Sequence, residues 1–381
     1  MQINRERLAR TFTQLCEIES PSRKENGMST YLQKQFSQLE ADNILVDESA
    51  AITGSETGNL IISFPGRNSS TAPLLFACHM DTVGPTDGIE VVRDGDMFTS
   101  KGETILGADD KSGIAALIEL ISLLRENDIP HCPIELLFTT CEEIGLIGAK
   151  ALDPTLLKSA YGYALDSTEK DTIITGAPAA NRIKITIQGQ AAHSGFAPEN
   201  GVNSLVIAAE AITRLKIGRL DSASTSNLGV IRGGSATNIV PEHVEIEGEV
   251  RSHSPLLLEE HTRRIEKTFQ DVVENWPVGD NQKKPTVVMD VKEDFPLMSL
   301  GEKEPVLQRL RSAAESINRS LRFDIAGGGS DANIFSKRGL KTAIIPTGMT
   351  NVHTTDECVE LCDMVELTEL LLALVKEPEA R

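Results

Sequence analysis

The sequence predicts an α/β domain interrupted by a smaller α+β domain. Three observations carry that expectation. Apolar runs of strand length alternate with helical segments from residue 4 to residue 166. A block from Asn181 to residue 291 then follows its own order of strand, helix, two strands, helix and strand. The first pattern returns after Asp294-Phe295-Pro296. The expected boundaries are 1–179 and 293–381 for the two segments of the first domain, with 180–292 as the insertion. A chain of 381 residues also exceeds what one ordinary core holds.

Taken in order, residues 4–18 and 25–40 have helical periodicity, the second preceded by Ser20-Pro21-Ser22. Short strands are expected at 44–46 and 59–64, then an apolar strand at 73–77 that feeds His79. Segments 89–93 and 97–99, joined across Asp94-Gly95, read as a hairpin. A helix is expected at 114–124, a buried strand at 133–139 and another at 160–165. In the insertion, strands are expected at 182–188, 226–232, 243–251 and 286–291, with helices at 204–215 and 256–274. The last segment gives a helix at 305–317, a glycine-rich loop at 326–330, a helix at 331–337 and a strand at 342–346. A closing helix at 365–375 is expected to stop at Pro378.

Composition narrows the function classes. Hydrophobic content of 40% with 24% charged residues fits a soluble globular protein. Basic residues number 37 and acidic residues 56, and the resulting charge of −19 argues against nucleic acid or an anionic membrane as partner. No apolar run has the length of a membrane span, and residues 1–12, with Arg5, Glu6, Arg7 and Arg10, lack the apolar core of a signal peptide. The six cysteines form no CxxC pair, so reduced thiols in a cytoplasmic protein are expected.

Chemistry concentrates where apolar runs end. His79 and Asp81 share one face if their strand continues, and an imidazole with a carboxylate is a common zinc-site pair, one binding metal and the other orienting it. A polar strand end gives the same pattern. Asp109-Asp110 follows Gly107-Ala108. An aspartate there can cap a helix, or Asp109 can bridge two metal ions, because a carboxylate offers two oxygens. Glu142-Glu143 follows the run 133–139. Adjacent like charges repel unless a cation is near, and neighbouring side chains point in different directions, so one glutamate can bind metal while the other takes a proton. Asp166 ends the run 160–165, and His353 lies in a late loop. His193 is flanked by small residues that leave its ring accessible, whereas His131, His243, His253 and His261 have no such setting.

Together these residues resemble, motif by motif, the M20 family of co-catalytic zinc peptidases. HMDTVGP, LGADDKSG, CEEIGLIGAK, ALDS, AAHSG, GGSATNIVP and GGGSDANIF occur in that family's order and span the chain, insertion included. LGADDKSG with GSDAN is most similar to the peptidase T-like branch, whose members cleave small peptides from the N-terminal side. The resemblance implies a mixed-sheet catalytic domain carrying a ferredoxin-like lid or dimerisation domain. It implies two zinc ions, or manganese or cobalt in their place, bridged by Asp109. His79 and Asp166 would complete one coordination sphere, and Glu143 and His353 the other. Asp81 would orient His79, and the Asp109–Asp110 peptide would be cis. Glu142 would deprotonate the water shared by the metals and return the proton to the leaving amine; zinc brings such a water to a pKa of roughly 7. His193 would reach a neighbouring active site and stabilise the oxyanion, in a homodimer formed through the inserted domains. Asn238 and Arg251 match polar positions expected to touch substrate. Gly328 and Ser330 lie in a loop that would let a substrate backbone approach, and no lysine follows it in phosphate-loop spacing.

The implied function is a metallo-exopeptidase that removes the first residue of short peptides, a tripeptide aminopeptidase. Carboxypeptidases, dipeptidases and N-acyl-amino-acid amidohydrolases share the machinery and differ in pocket residues. A non-catalytic metal-binding scaffold would lack the base or a ligand, and here Glu142 and all five ligands are present. Three tyrosines and one tryptophan leave few aromatic anchors, which points to modest side-chain selectivity.

Overall fold

A computed structural model of the chain describes residues 2–69 and 71–376. It divides into two compact units, Met1–Ala177 with Met298–Arg381, and Pro178–Leu297. The second unit is wider than the expected 180–292 because its strands are longer. Ala179–Gln188 and Thr286–Phe295 stay paired out to Ala180 and Phe295.

The first unit is built on a nine-stranded mixed sheet. Its centre is four neighbouring parallel strands, Ile134–Thr139, Leu74–His79, Tyr161–Ser167 and Lys341–Pro346. Every residue of the first two is buried, which is why they read as continuous apolar runs rather than as alternating ones. Leu60–Phe64 and Asn43–Val46 extend the sheet antiparallel on one side. Thr172–Ala177, Met298–Ser299 and Arg322–Ile325 complete the other side; none of these three is among the strands expected from the sequence.

Because the four central strands share a direction, their carboxyl ends open on one edge. His79 ends one strand, residues 141–143 follow the second, and Asp166 lies within the third. The loop carrying His353 follows the fourth. A three-stranded sheet of Val91–Asp94, Met97–Ser100 and Cys358–Glu360 lies in the same unit, the first two forming the expected hairpin.

Helix Ala108–Glu126 is buried from Ala108 to Leu124, so it has no solvent face to make it amphipathic. It is assigned from residue 108 rather than 114, but Asp109 (φ −81°, ψ 102°) and Asp110 (φ −117°, ψ 26°) are not helical. The side chain of Arg7 fastens helix Arg5–Cys16 to it, with Nε 2.6 Å from Oε2 of the buried Glu119 and a second pair to Glu126. Gly113 marks a close approach. A Cβ there would lie 2.6 Å from Asp110 Oδ1 and 2.9 Å from both Cys78 Sγ and Leu165 Cβ. Gly113→Ala is therefore expected to destabilise the unit by about 1–3 kcal/mol despite alanine's better helix propensity, read as a lower denaturation midpoint.

The second unit is a five-stranded antiparallel sheet in the order Gly218–Arg219, Ser224–Gly233, His243–Ser252, Ala179–Gln188, Thr286–Phe295. Ile183, Ile185 and Ile187 alternate inwards with Val244, Ile246 and Val250, forming a core with helices Ser204–Thr213 and Pro255–Glu274. The longer helix begins at Pro255 behind Ser254, whose hydroxyl accepts from Leu257 N–H. The closing helix is Leu361–Val375, and its expected stop at Pro378 lies outside the described residues. Among the described residues, no helix is long and apolar enough to cross a membrane.

Candidate metal centre

Asp109 is the hub of the carboxyl edge. Its Oδ1 lies 2.9 Å from His79 Nε2, and its Oδ2 lies 3.4 Å from His353 Nε2. The same His353 nitrogen is 3.0 Å from Glu143 Oε2. One carboxylate thus spans two imidazoles, one at a strand end and one in a loop, more than 250 residues apart in the chain. Gly107 (φ 76°) turns the chain into Asp109, and the Asp109–Asp110 peptide is cis. His353 itself sits at φ 64°, in a loop that Thr350 and Cys358 close with two main-chain hydrogen bonds.

His79 shows what the pocket needs. Its Nδ1–H donates to the Asp81 carbonyl at 2.7 Å, which leaves Nε2, an acceptor when the ring is neutral, facing a carboxylate oxygen. Two acceptors at that distance require a proton or a cation between them. Glu143 Oε1 and Asp331 Oδ1 are also buried without a hydrogen-bond partner. One donor atom each from His79, Asp109 and Glu143 lie within 4.8 Å of one another. Imidazoles and carboxylates are the donor set of divalent transition metals, and the residues present fit such ions.

The electrostatics agree. Burial, then the charges of Asp166, Asp331 and Glu143, hold the Glu142 carboxyl well above the usual carboxylate range, against the opposing charge of His79. Burial and Asp109 do the same to Asp166. Hydrogen bonds to Asp109 and Glu143 push the His353 imidazole up to about 10. Burial would raise Asp109, but His353 and His79 overcome it and hold its carboxyl below the usual range. A crowd of acids served by two imidazoles keeps protons unless cations replace them.

Asp81 differs from expectation. Its main-chain carbonyl, not its carboxylate, meets His79 at hydrogen-bond distance, and Oδ1 is 3.7 Å from Nδ1. The carboxylate accepts from Ser22 Oγ (2.6 Å), Glu142 N–H (2.9 Å) and Glu143 N–H (3.2 Å). The reason is geometric: the turn after Ile134–Thr139 passes the end of the adjacent parallel strand with two free N–H groups. Buried Glu25 grips the same turn, accepting from Cys141 N–H at 3.0 Å, where Cys141 has φ 54°.

The sequence reading missed three residues that shape this edge. Ser22 holds Asp81. Buried Glu357 accepts from the main chain of the Asp109 turn. Asp331 accepts from Thr139 Oγ1 at 2.5 Å, and burial raises its carboxyl to about 6. Only Asp331, inside GGGSDANIF, had a local signal; the other two are marked by distant partners. Ser330 is buried as the N-cap of helix Asp331–Lys337, its Oγ accepting from Ala332 N–H, and Gly328 is half-buried in the loop before it.

His193, Asn238 and Arg251 belong to the second unit. His193 is exposed, rests against Phe196 with ring centroids 4.5 Å apart, and accepts from Gly195 N–H at Nδ1. A neutral His193 therefore carries its proton on Nε2. Ile239 pairs opposite it, and the neighbouring exposed Asn238 accepts at its carbonyl from Ser194 N–H. Arg251 is held by Glu249 at 2.9 Å and lies over the ring of Phe295.

Comparison with known proteins adds two family models and several close relatives. Residues 59–195 match the model described as peptidase family M28, and residues 176–277 match the M20 model described as a peptidase dimerisation domain. A crystal structure of an aminopeptidase, PepT, from Bacillus cereus is 36% identical and covers 98% of each chain, with a TM-score of 0.88. A tripeptidase structure from Staphylococcus aureus is 33% identical over 99% of each chain, with a TM-score of 0.92. An uncharacterised Bacillus subtilis protein, YqjE, is 36% identical over 98% of this chain and 99% of its own.

Proposed function

The chain belongs to the M20 peptidases, in their peptidase T-like branch, and from that membership we propose that it is a two-metal aminopeptidase acting on tripeptides and other short peptides. That it is a peptide hydrolase follows from the branch itself. The observation that carries the finer reading is the single Asp109 carboxylate set between two imidazoles, with Glu143 beside one of them. On this reading His79 and Asp166 hold one cation with Asp109, and Glu143 and His353 hold the other. Zinc is the proposed ion, with manganese or cobalt able to take the same donors. Bound there, two divalent ions would supply Lewis acidity that polarises the scissile carbonyl and makes water acidic enough to attack at neutral pH.

The chain's own residues do the rest. Glu142 takes the proton of the attacking water and passes it to the leaving amine. Asp81 sets the direction of Glu142 and Glu143 by holding both of their N–H groups. His193 Nε2–H is proposed to donate to the oxyanion, in a homodimer formed through the inserted unit. Asn238 and Arg251 are proposed to contact substrate, as is the main chain at Gly328. Ser330 serves first as a helix cap. The six cysteines are free, and a reducing, cytoplasmic setting is proposed on that basis.

Substrate direction is tested with the metal-loaded enzyme, a free tripeptide and its N-acetylated form, with products resolved by mass. Cleavage of the free form alone, releasing its first residue, is the expected result. Preference for the acetylated form would move the assignment to an acyl-amino-acid hydrolase or carboxypeptidase.

A further inference from the structure

Glu357 is a buried carboxylate at this edge for which the mechanism above has no use. It is 1% exposed. Its Oε2 accepts from Leu106 N–H (3.0 Å) and Gly107 N–H (2.7 Å), and its Oε1 accepts from Asp109 N–H (3.0 Å). Bonds from N–H groups to an ionised carboxylate are among the stronger ones in proteins, and these three act on the turn that presents Asp109. The buried ammonium of Lys111, which donates to the Ile18 carbonyl, supplies positive charge on the same side.

Glu357 also lies four residues after His353, within the loop that Thr350 and Cys358 close. The two imidazoles of the centre are supported unequally. His79 ends a buried strand and is fixed by the Asp81 carbonyl. The side chain of His353 is half exposed, and among the described residues its ion-pair partners are Asp109 and Glu143.

We infer that Glu357 is a positioning residue that ties the Asp109 turn to the His353 loop, and that it thereby sets the affinity of the cation held by Glu143 and His353 more than that of the cation held by His79 and Asp166. This rests on the two-cation reading. Outer groups that orient metal ligands are worth about 10–100-fold in metal affinity.

The test is a cobalt(II) titration of metal-free protein, followed by equilibrium dialysis and by visible absorption. The wild type takes up two ions. In Glu357→Gln an NH2 group replaces one acceptor and faces main-chain N–H groups. The first binding event is unchanged and the second weakens by about 10–100-fold, with kcat recovering at saturating cobalt. Glu119→Gln is the control: that glutamate is equally buried and receives Arg7 Nε at 2.6 Å, away from the centre, so it lowers thermal stability without separating the two events. Two wild-type events that stay unchanged in Glu357→Gln would overturn the inference and leave the two-cation reading standing. A wild type that takes up fewer than two ions removes both. If Glu357→Gln does not fold, Glu357→Asp decides, its carboxylate withdrawn by one methylene. Selective loss of the second event supports the tie, and equal weakening of both events overturns it.

Discussion

Glu142→Gln is expected to keep the fold and both cations while lowering kcat by about 10²–10⁴-fold, the usual contribution of a positioned general base. The substitution is nearly isosteric, and the main chain of the turn is unaffected because Asp81 and Glu25 hold N–H groups, not the Glu142 side chain. What disappears is a carboxylate whose proton affinity is raised by burial and by Asp166, Asp331 and Glu143. A base so tuned takes a proton readily and returns it to an amine, which an amide cannot do. The measurement pairs kcat and KM on a free tripeptide with the metal content of the same sample. An unchanged kcat at full metal content would remove Glu142 from the role.

Loss of the cations should be as severe. Chelation is expected to lower kcat by more than about 10³-fold, equivalent to several kcal/mol of Lewis-acid stabilisation, and added zinc, manganese or cobalt should restore it. Asp109→Ala should reproduce that loss irreversibly, since each of its oxygens faces a different imidazole and one substitution disables both sides. His353→Ala touches one side only and should retain one ion. Binding must also displace protons, because the imidazole of His353 is held charged up to about 10 and burial raises Asp166 and Glu142. Affinity therefore rises with pH across the neutral range, and the heat of binding depends on the ionisation enthalpy of the buffer. Activity that survives exhaustive chelation, with metal content verified at zero, would sink the two-metal reading.

The fold was legible where burial is complete. Leu74–His79 and Ile134–Thr139 lie in the middle of a parallel sheet, so their sequences are apolar throughout and need no partner to be recognised. Arg322–Ile325 shows the opposite case. Two of its four residues are charged and three are exposed, and only its pairing with Thr172–Ala177 makes it a strand. Helix Ala108–Glu126 begins before its expected start at 114; Asp109 and Asp110 break its first turn, and a sequence pattern cannot show a local bend.

At the candidate site, the sequence by itself determined which groups could be ligands. Asp109, Glu142, Glu143 and Asp166 stand at the ends of apolar segments, where acids have no use in a core, and their order matches one family. The tertiary structure alone decided how these groups are held. Asp81 turned from His79 to the Glu142–Glu143 turn because adjacent parallel strands bring two free N–H groups past its carboxylate. Ser22 gained its place by meeting Asp81, and Glu357 by meeting N–H groups some 250 residues away. A donor's chemistry is local to its side chain, whereas a hydrogen bond needs two groups that only the folded chain brings within 3 Å of each other.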